Sequence, residues 1–431
     1  MLTDIKSQTA EELETQFRAW GQPAYRVAQL LAWLYVHRAT TWAVMTNLPK
    51  ALRDQLGKHY SLTELELVQK KGARDATQKF LWRLSDHSLI ESVLIPANPA
   101  LYGEASDRHT LCVSTQVGCA YGCKFCASGL AGWKRNLRPE EIVEQLLAVE
   151  RWNVEQEQGS KGEEPTKDLP ASTDAAQADQ PTQHATRNTP VLPTAPERPS
   201  AFGFRISGFG SLPSPLPRLV SNLVVMGMGE PLANYENVLR SLRILNAPWA
   251  LGIGARKITV STVGLAPRIR QLADEPMQIR LAISLHGATD AVRSQIMPVS
   301  KKHPLTELLE ACDYYVNTRH RMLTFEYILI ENVNDMLDQA YKLASLARQL
   351  HAKVNLIPYN PVEGLPWKRP DRERCKMFQH TLKTAGVTAT LRTEKGTDIA
   401  AACGQLRLQR EKSPASKLPI TGSDLAGDGD F

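Results

Sequence analysis

Between residues 110 and 400 the chain repeats one pattern: a short apolar run, then a longer stretch with apolar residues at helical spacing. The apolar runs predict strands over 110–117, 222–226, 256–261, 279–285, 322–329, 353–357 and 388–392. Between them, 139–152 carries apolar residues at 142, 143, 146 and 147 behind a proline at the first helical position. Segments 235–244 and 305–317 follow the same helical spacing. Strands alternating with helices predict an α/β fold built on a parallel sheet or partial (β/α) barrel. In such barrels the chemistry sits at the carboxyl ends of the strands.

Upstream, 78–84 and 89–96 alternate as two strands around Asp86-His87-Ser88, which predicts a hairpin. Residues 10–62 read as helices, among them 25–35 and 51–56, the latter behind a cap within Met45-Thr-Asn-Leu-Pro-Lys50. Residues 154–220 interrupt the alternation: over 154–200 a Pro/Thr/Ala/Gln-rich tract with few large apolar residues reads as a disordered insert, while 201–220, Gly/Ser/Pro-rich with Phe202, Phe204 and Phe209, is ambiguous and admits weak packing. The chain therefore divides into a small helical domain over 1–65, a sheet-bearing domain over 78–410 interrupted by 154–220, and a disordered tail over 411–431.

At 431 residues and 42% hydrophobic content the chain can build a substantial core. No apolar run reaches the length of a membrane span. The first residues, Met1-Leu-Thr-Asp-Ile-Lys6, are polar at once, so a cytoplasmic protein is expected. A net charge of +6 permits a nucleic-acid partner without requiring one. The helical segment carries Arg26, His37, Arg38, Lys50, Arg53 and Lys58 with Trp33, Tyr35 and Trp42. Two readings of that set stand: RNA contact, or padding against the barrel.

Cysteine use changes the picture most. Of seven cysteines, three stand in Cys119-Ala-Tyr-Gly-Cys123-Lys-Phe-Cys126, a C-x3-C-x2-C spacing. A zinc site draws on a second cysteine pair, which is absent here, and disulfides belong to secreted chains. Four cysteines complete a four-iron cluster, so three leave one iron open. An open iron can take the amino and carboxylate groups of S-adenosylmethionine, and this loop resembles the signature of radical S-adenosylmethionine enzymes. Cys312 sits among apolar helical residues and reads as core; Cys375, on a charged helix, reads as incidental.

Further motifs extend the likeness: Leu111-Cys112-Val-Ser-Thr-Gln-Val-Gly-Cys119, Val225-Met-Gly-Met-Gly-Glu-Pro-Leu-Ala-Asn234, Ala282-Ile-Ser-Leu-His286, Asn355-Leu-Ile-Pro-Tyr-Asn-Pro361 and Ala400-Ala-Ala-Cys-Gly-Gln-Leu406. Together they resemble the radical S-adenosylmethionine RNA adenine methyltransferases, which modify 23S ribosomal RNA and, in many members, transfer RNA. The likeness covers the chain apart from about 154–220 and the tail. It implies one 4Fe–4S cluster on Cys119, Cys123 and Cys126, and S-adenosylmethionine as both methyl donor and radical source. It implies a flavodoxin- or ferredoxin-type electron donor and a monomer. Members methylate adenine C2 or C8, and the pattern here looks closer to the C2 branch.

The same resemblance assigns roles. Cys403 carries the methyl group as a thiolate nucleophile; Cys112 forms a transient disulfide with it; Glu91 takes the C2 proton. Gly229 and Glu230 contact the methionine amino group, and Ser261, Ser284, Leu285, His286 and Asn360 bind the rest of the cofactor. By residue type alone, Glu91 also reads as the solvated face of a strand, Cys112 as a buried strand cysteine, Cys403 as a surface thiol and His286 as a structural histidine. Phe125, inside the cysteine loop, is expected to shield the cluster. Two other classes remain at this level: a radical activase or sulfur-inserting enzyme, and a non-catalytic iron–sulfur RNA-binding protein.

Overall fold

The computed structural model describes residues 2–72, 77–97, 108–130, 132–161, 215–392 and 405–412. Its centre is a ten-stranded sheet whose strands lie in chain order. They are β1 (Glu66–Lys71), β2 (Gln78–Arg83), β3 (Leu89–Pro96), β4 (His109–Cys112) and β5 (Asn222–Val225), then β6 (Ile258–Thr262), β7 (Arg280–Ser284), β8 (Thr324–Leu329), β9 (Lys353–Pro358) and β10 (Ala389–Leu391). From β4 to β10 every neighbouring pair is parallel; β1 to β4 pair antiparallel. Among the described residues β1 and β10 are the two edges, so the barrel is open.

The parallel strands bury residues on both faces, such as Leu281, Ala282 and Ile283 in β7 and Phe325, Tyr327 and Leu329 in β8. Continuous apolar runs of this kind belong to strands covered by helices on each side. Helix Pro139–Lys161 seals one side with Ile142, Val143, Leu146, Leu147 and Val149, all below the surface. Helix Tyr235–Asn246 adds Val238, Leu239, Leu242 and Leu245.

The N-terminal segment packs as helices Ala10–Ala19, Tyr25–Leu31 and Lys50–His59, closed by a short parallel pairing of Thr3–Asp4 with Tyr60–Ser61. Thr9 and Glu12 form a capping box at its first helix. The segment is fastened to the sheet-bearing part by buried charge. Lys6 Nζ lies 2.7 Å from Glu144 Oε2, and Arg240 Nε donates to the Ser7 carbonyl at 2.7 Å.

Several expectations are corrected here. The apolar run 110–117 is two strands, because β4 ends at Cys112 and Gln116–Gly118 turns away to pair with Trp133–Asn136. The helix after it does not stop near 152 but continues to Lys161, into the stretch read as insert; residues 162–214 lie outside the described residues. At the other end Pro215–Val220 is described, and Glu150 accepts the Leu219 and Val220 N–H groups. Helix Gln405–Lys412 runs two residues into the stretch read as tail; 413–431 lie outside the described residues. Asn47 is no cap: its side chain accepts from Trp33 Nε1 and its carbonyl from Arg26. Trp33, Tyr35 and Arg38 are buried, which removes them from any RNA-facing surface, while Lys50 and Lys58 remain exposed. Cys375 is buried rather than incidental.

Candidate active site

The carboxyl ends of β5 to β9 open onto one cavity of about 260 Å³. Cys119, Cys123 and Cys126 line it from one side, and Gly229, Glu230, Ser261, Ser284 and His286 from the strand ends.

The cysteine loop is stiffened at several points. Its ends meet where Cys119 N–H donates to the Gly132 carbonyl at 3.2 Å, and Cys126 N–H donates to Cys123 at 3.1 Å. Lys124 N–H donates to the Ile296 carbonyl, and the Lys124 carbonyl accepts from Trp367 Nε1. Burial pushes the Cys119 thiol up to about 12, helped by the charges of Cys126 and Glu230, and raises Cys123 for the same reasons. Iron reverses that cost, since a coordinating thiol is deprotonated outright. Among the described residues no three His, Cys, Asp or Glu side chains converge as ligands of a single ion. Three soft thiols spread along a cavity wall suit a polynuclear cluster.

Burial pushes the Glu230 carboxyl on the cavity wall up to about 7, and it raises that of Glu326 on the same wall as well. The Glu230 oxygens accept the Leu232 N–H at 3.0 Å and the Val263 N–H at 2.8 Å. These neutral donors hold the carboxylate in place without balancing its charge, so the cavity favours a cationic guest such as an ammonium. Gly229 stands at φ +102, and a Cβ there would lie 2.5 Å from Gln116 Cβ. Gln116 in turn accepts the Glu230 N–H at 2.9 Å, so this close approach sets the carboxylate's position.

Ser261 and Ser284 end neighbouring strands with their hydroxyls 3.3 Å apart. His286 follows in the left-handed region at φ +56. Its Nδ1 accepts the Ile328 N–H at 3.1 Å, which leaves the proton on Nε2. Burial, with Arg293 nearby, lowers its pKa to about 3, so it is neutral. It is therefore both a structural histidine and a cavity residue. Phe125 meets its ring edge-on at 4.9 Å between centroids.

The remaining predicted residues are placed elsewhere. The Leu285 side chain is core, and only its backbone is engaged: its carbonyl accepts from Arg293 Nη1 at 2.9 Å. Asn360 is half-buried beyond the end of β9 and is not on the cavity wall. Glu91 and Cys112 are also off that wall, on the adjacent β3 and β4. Glu91 is no solvated strand face: it is 1% exposed, with Oε2 3.1 Å from Lys79 Nζ and Oε1 accepting the Arg407 N–H at 2.7 Å. Ser114 bridges the two regions, donating to the Glu91 carbonyl and accepting the Met228 N–H. Cys112 is buried, and no disulfide joins cysteines among the described residues. Cys403 lies outside the described residues.

Glu326 and Arg392 also line the cavity and carried no sequence signal. Glu326 lies within β8 and Arg392 just past β10, each a single charged residue with no partner at a telling spacing in the sequence.

Residues 3–62 match the family model described as Ribosomal RNA large subunit methyltransferase N-terminal domain. A probable dual-specificity RNA methyltransferase RlmN 3 of Opitutus terrae is 48% identical over 408 residues, 95% of each chain. The chain belongs to the RlmN family of RNA methyltransferases. The corresponding RlmN protein of Akkermansia muciniphila is 44% identical, covering 96% of this chain and 98% of its own. The crystal structure of a radical SAM methyltransferase from Sphaerobacter thermophilus shares 38% identity at a TM-score of 0.74, over 94% of this chain and 98% of that one. That likeness spans the helical segment and the sheet together. Among the described residues no helix is long and apolar enough to cross a membrane.

Proposed function

We propose that this member of the RlmN family methylates C2 of an adenosine in 23S ribosomal RNA and of an adenosine in transfer RNA, in the cytoplasm. The observation that carries this is the meeting, in one cavity, of three spaced thiols with a buried carboxylate that lacks a countercharge. Cys119, Cys123 and Cys126 hold a 4Fe–4S cluster, and Glu230 with Gly229 receives the ammonium of S-adenosylmethionine. Ser261, Ser284 and the Nε2–H of His286 would bind the neutral parts of the cofactor, with Asn360, in the chain beyond β9, as a further contact. When bound, cluster and cofactor supply the one-electron cleavage that makes a 5′-deoxyadenosyl radical.

The chain's own residues then divide the work. Cys403 takes a methyl group from a first S-adenosylmethionine as a thiolate. The methyl group on Cys403 would lose one hydrogen to the 5′-deoxyadenosyl radical from a second S-adenosylmethionine, and its carbon would then bond to C2 as a covalent protein–RNA link, the surplus electron returning to the cluster. Glu91 accepts the C2 proton, and Cys112 attacks the Cys403 sulfur to free the RNA, leaving a disulfide that a reductant reopens. The N-terminal segment contacts RNA through its exposed lysines. A flavodoxin- or ferredoxin-type protein supplies electrons to the monomer.

The test is anaerobic reconstitution with unmodified 23S RNA, reductant and methyl-labelled S-adenosylmethionine, followed by nucleoside analysis. 2-Methyladenosine with 5′-deoxyadenosine is expected. 8-Methyladenosine would move the chain to the other regiochemistry, and neither product from a reducible cluster would remove the radical route.

A further inference from the structure

Glu91 is set among groups that its role as proton acceptor does not by itself explain. Lys79 lies on β2 and Glu91 on β3, and the register pairs Leu81 with Glu91 and Lys79 with Val93. Lys79 and Glu91 are thus diagonal neighbours on one face of an antiparallel pair, close enough for long side chains to meet. They do meet, at 3.1 Å between Nζ and Oε2, with the Lys79 side chain 0% exposed and that of Glu91 1% exposed.

A buried ammonium is costly unless it is paired and hydrogen-bonded, and the next three residues of β2, Phe80, Leu81 and Trp82, are buried and apolar, with Phe80 and Trp82 stacked on the opposite face. The Glu91 carboxylate that Lys79 faces offsets that cost. The other oxygen of Glu91 accepts the Arg407 N–H, a first-turn donor of helix Gln405–Lys412 that has no partner within its own helix. One oxygen is thereby held by a side chain of the sheet, the other by the backbone of a helix that begins two residues after Cys403.

We infer that Lys79 is a positioning residue for Glu91: together with the Arg407 N–H it fixes the orientation of the carboxylate that takes the C2 proton. This deepens, and rests on, the reading of Glu91 as the proton acceptor. Lys79 is not on the cavity wall, and its part in the reaction runs through Glu91. Cys403 methylation precedes proton removal, so it does not depend on the Lys79–Glu91 pair, whereas resolution of the protein–RNA link does.

The experiment uses the full chain with reconstituted cluster, 23S RNA and S-adenosylmethionine. It compares Lys79→Met, Lys79→Arg, Glu91→Gln and the Lys79→Met/Glu91→Gln pair. Three signals are followed: S-methyl-Cys403 by peptide mass spectrometry, covalent protein–RNA species on denaturing gels, and released methyladenosine. For Lys79→Met the expected result is normal S-methyl-Cys403, a build-up of the covalent species, and at least a hundredfold slower release. Lys79→Arg restores release by tenfold or more over Lys79→Met. The double variant is no slower than Glu91→Gln, because a residue acting through another adds nothing once that other is gone.

Wild-type release from Lys79→Met overturns the inference. So does loss of S-methyl-Cys403 in step with release, which marks a structural lysine, or an arginine variant no better than the methionine one. Full turnover by Glu91→Gln instead sinks the proton-acceptor reading itself. A stalled Glu91→Gln beside an unaffected Lys79→Met sinks only the inference about Lys79.

Discussion

Arg38 Nη2 lies 3.2 Å from Glu150 Oε2, with the two side chains 2% and 0% exposed, and this pair joins the N-terminal segment to the long helix behind the sheet. Glu150 also accepts the Leu219 and Val220 N–H groups, so one carboxylate ties together the segment, the helix and the chain re-entering before β5. Removing Arg38 leaves that carboxylate buried without its cation. Arg38→Ala is expected to cost about 3–5 kcal/mol, as breaking a buried pair does. Urea denaturation measures it; a loss below about 1 kcal/mol, the range of a surface pair, would mean that the segment is held by its other contacts, Lys6–Glu144 among them.

Gly229 carries a second, local constraint. Its φ of +102 already disfavours any side chain, and an added Cβ would approach Gln116 Cβ to 2.5 Å. The backbone conformation costs about 1–2 kcal/mol and the overlap about 1–3 kcal/mol. Gly229→Ala should therefore be destabilised by the sum or displace Glu230 through its bond to Gln116. A variant with wild-type stability and wild-type affinity for S-adenosylmethionine would show that Gln116 swings aside without penalty.

Much of this was legible in the chain. The sheet strands from 222 onward were visible as apolar runs and the covering helices as 3.6-residue spacing, because burial on both faces leaves a simple signal. The cysteine loop was visible because three ligands within eight residues have few other uses. What escaped detection depends on register. In the run 110–117 the polar stretch Ser114-Thr115-Gln116 holds no Gly or Pro, so it does not announce that β4 ends at Cys112 and that a second strand begins at Gln116. Lys79 and Glu91 look like alternating surface charges until the pairing of β2 with β3 and the docking of helix Gln405–Lys412 bury them. Arg38 and Trp33 looked available to RNA for the same reason: burial by a distant segment leaves no local trace.

His286 offers a test by pH. Its folded pKa of about 3 lies below the ordinary 6.5, so the unfolded chain binds the proton first as the solution is acidified. The stability tied to the neutral ring is complete above about 6.5 and is lost as pH falls toward 3. His286→Asn keeps a side-chain acceptor for the Ile328 N–H and tolerates the left-handed backbone, but cannot titrate. Between about pH 6 and 4 the wild type should lose about 1.4 kcal/mol per unit more than the variant. Parallel slopes in urea titrations would mean that the ring is solvated in the folded protein.

Glu230 titrates in the opposite sense, and it bears on binding. Its folded pKa of about 7 lies above the ordinary 4.5, so the ligand-free site prefers the proton at any pH below 7. An ammonium needs the carboxylate, so guest and proton compete. The affinity of the cluster-loaded protein for S-adenosylmethionine should be level above pH 7 and weaken about tenfold per unit below it. Glu230→Gln should bind weakly with no such slope, since an amide cannot exchange a proton for an ammonium. Anaerobic calorimetry from pH 6 to 8 distinguishes these. A wild-type profile as flat as that of the variant would place the ammonium on another group, with Glu326, the other buried carboxylate of the cavity wall, as the alternative.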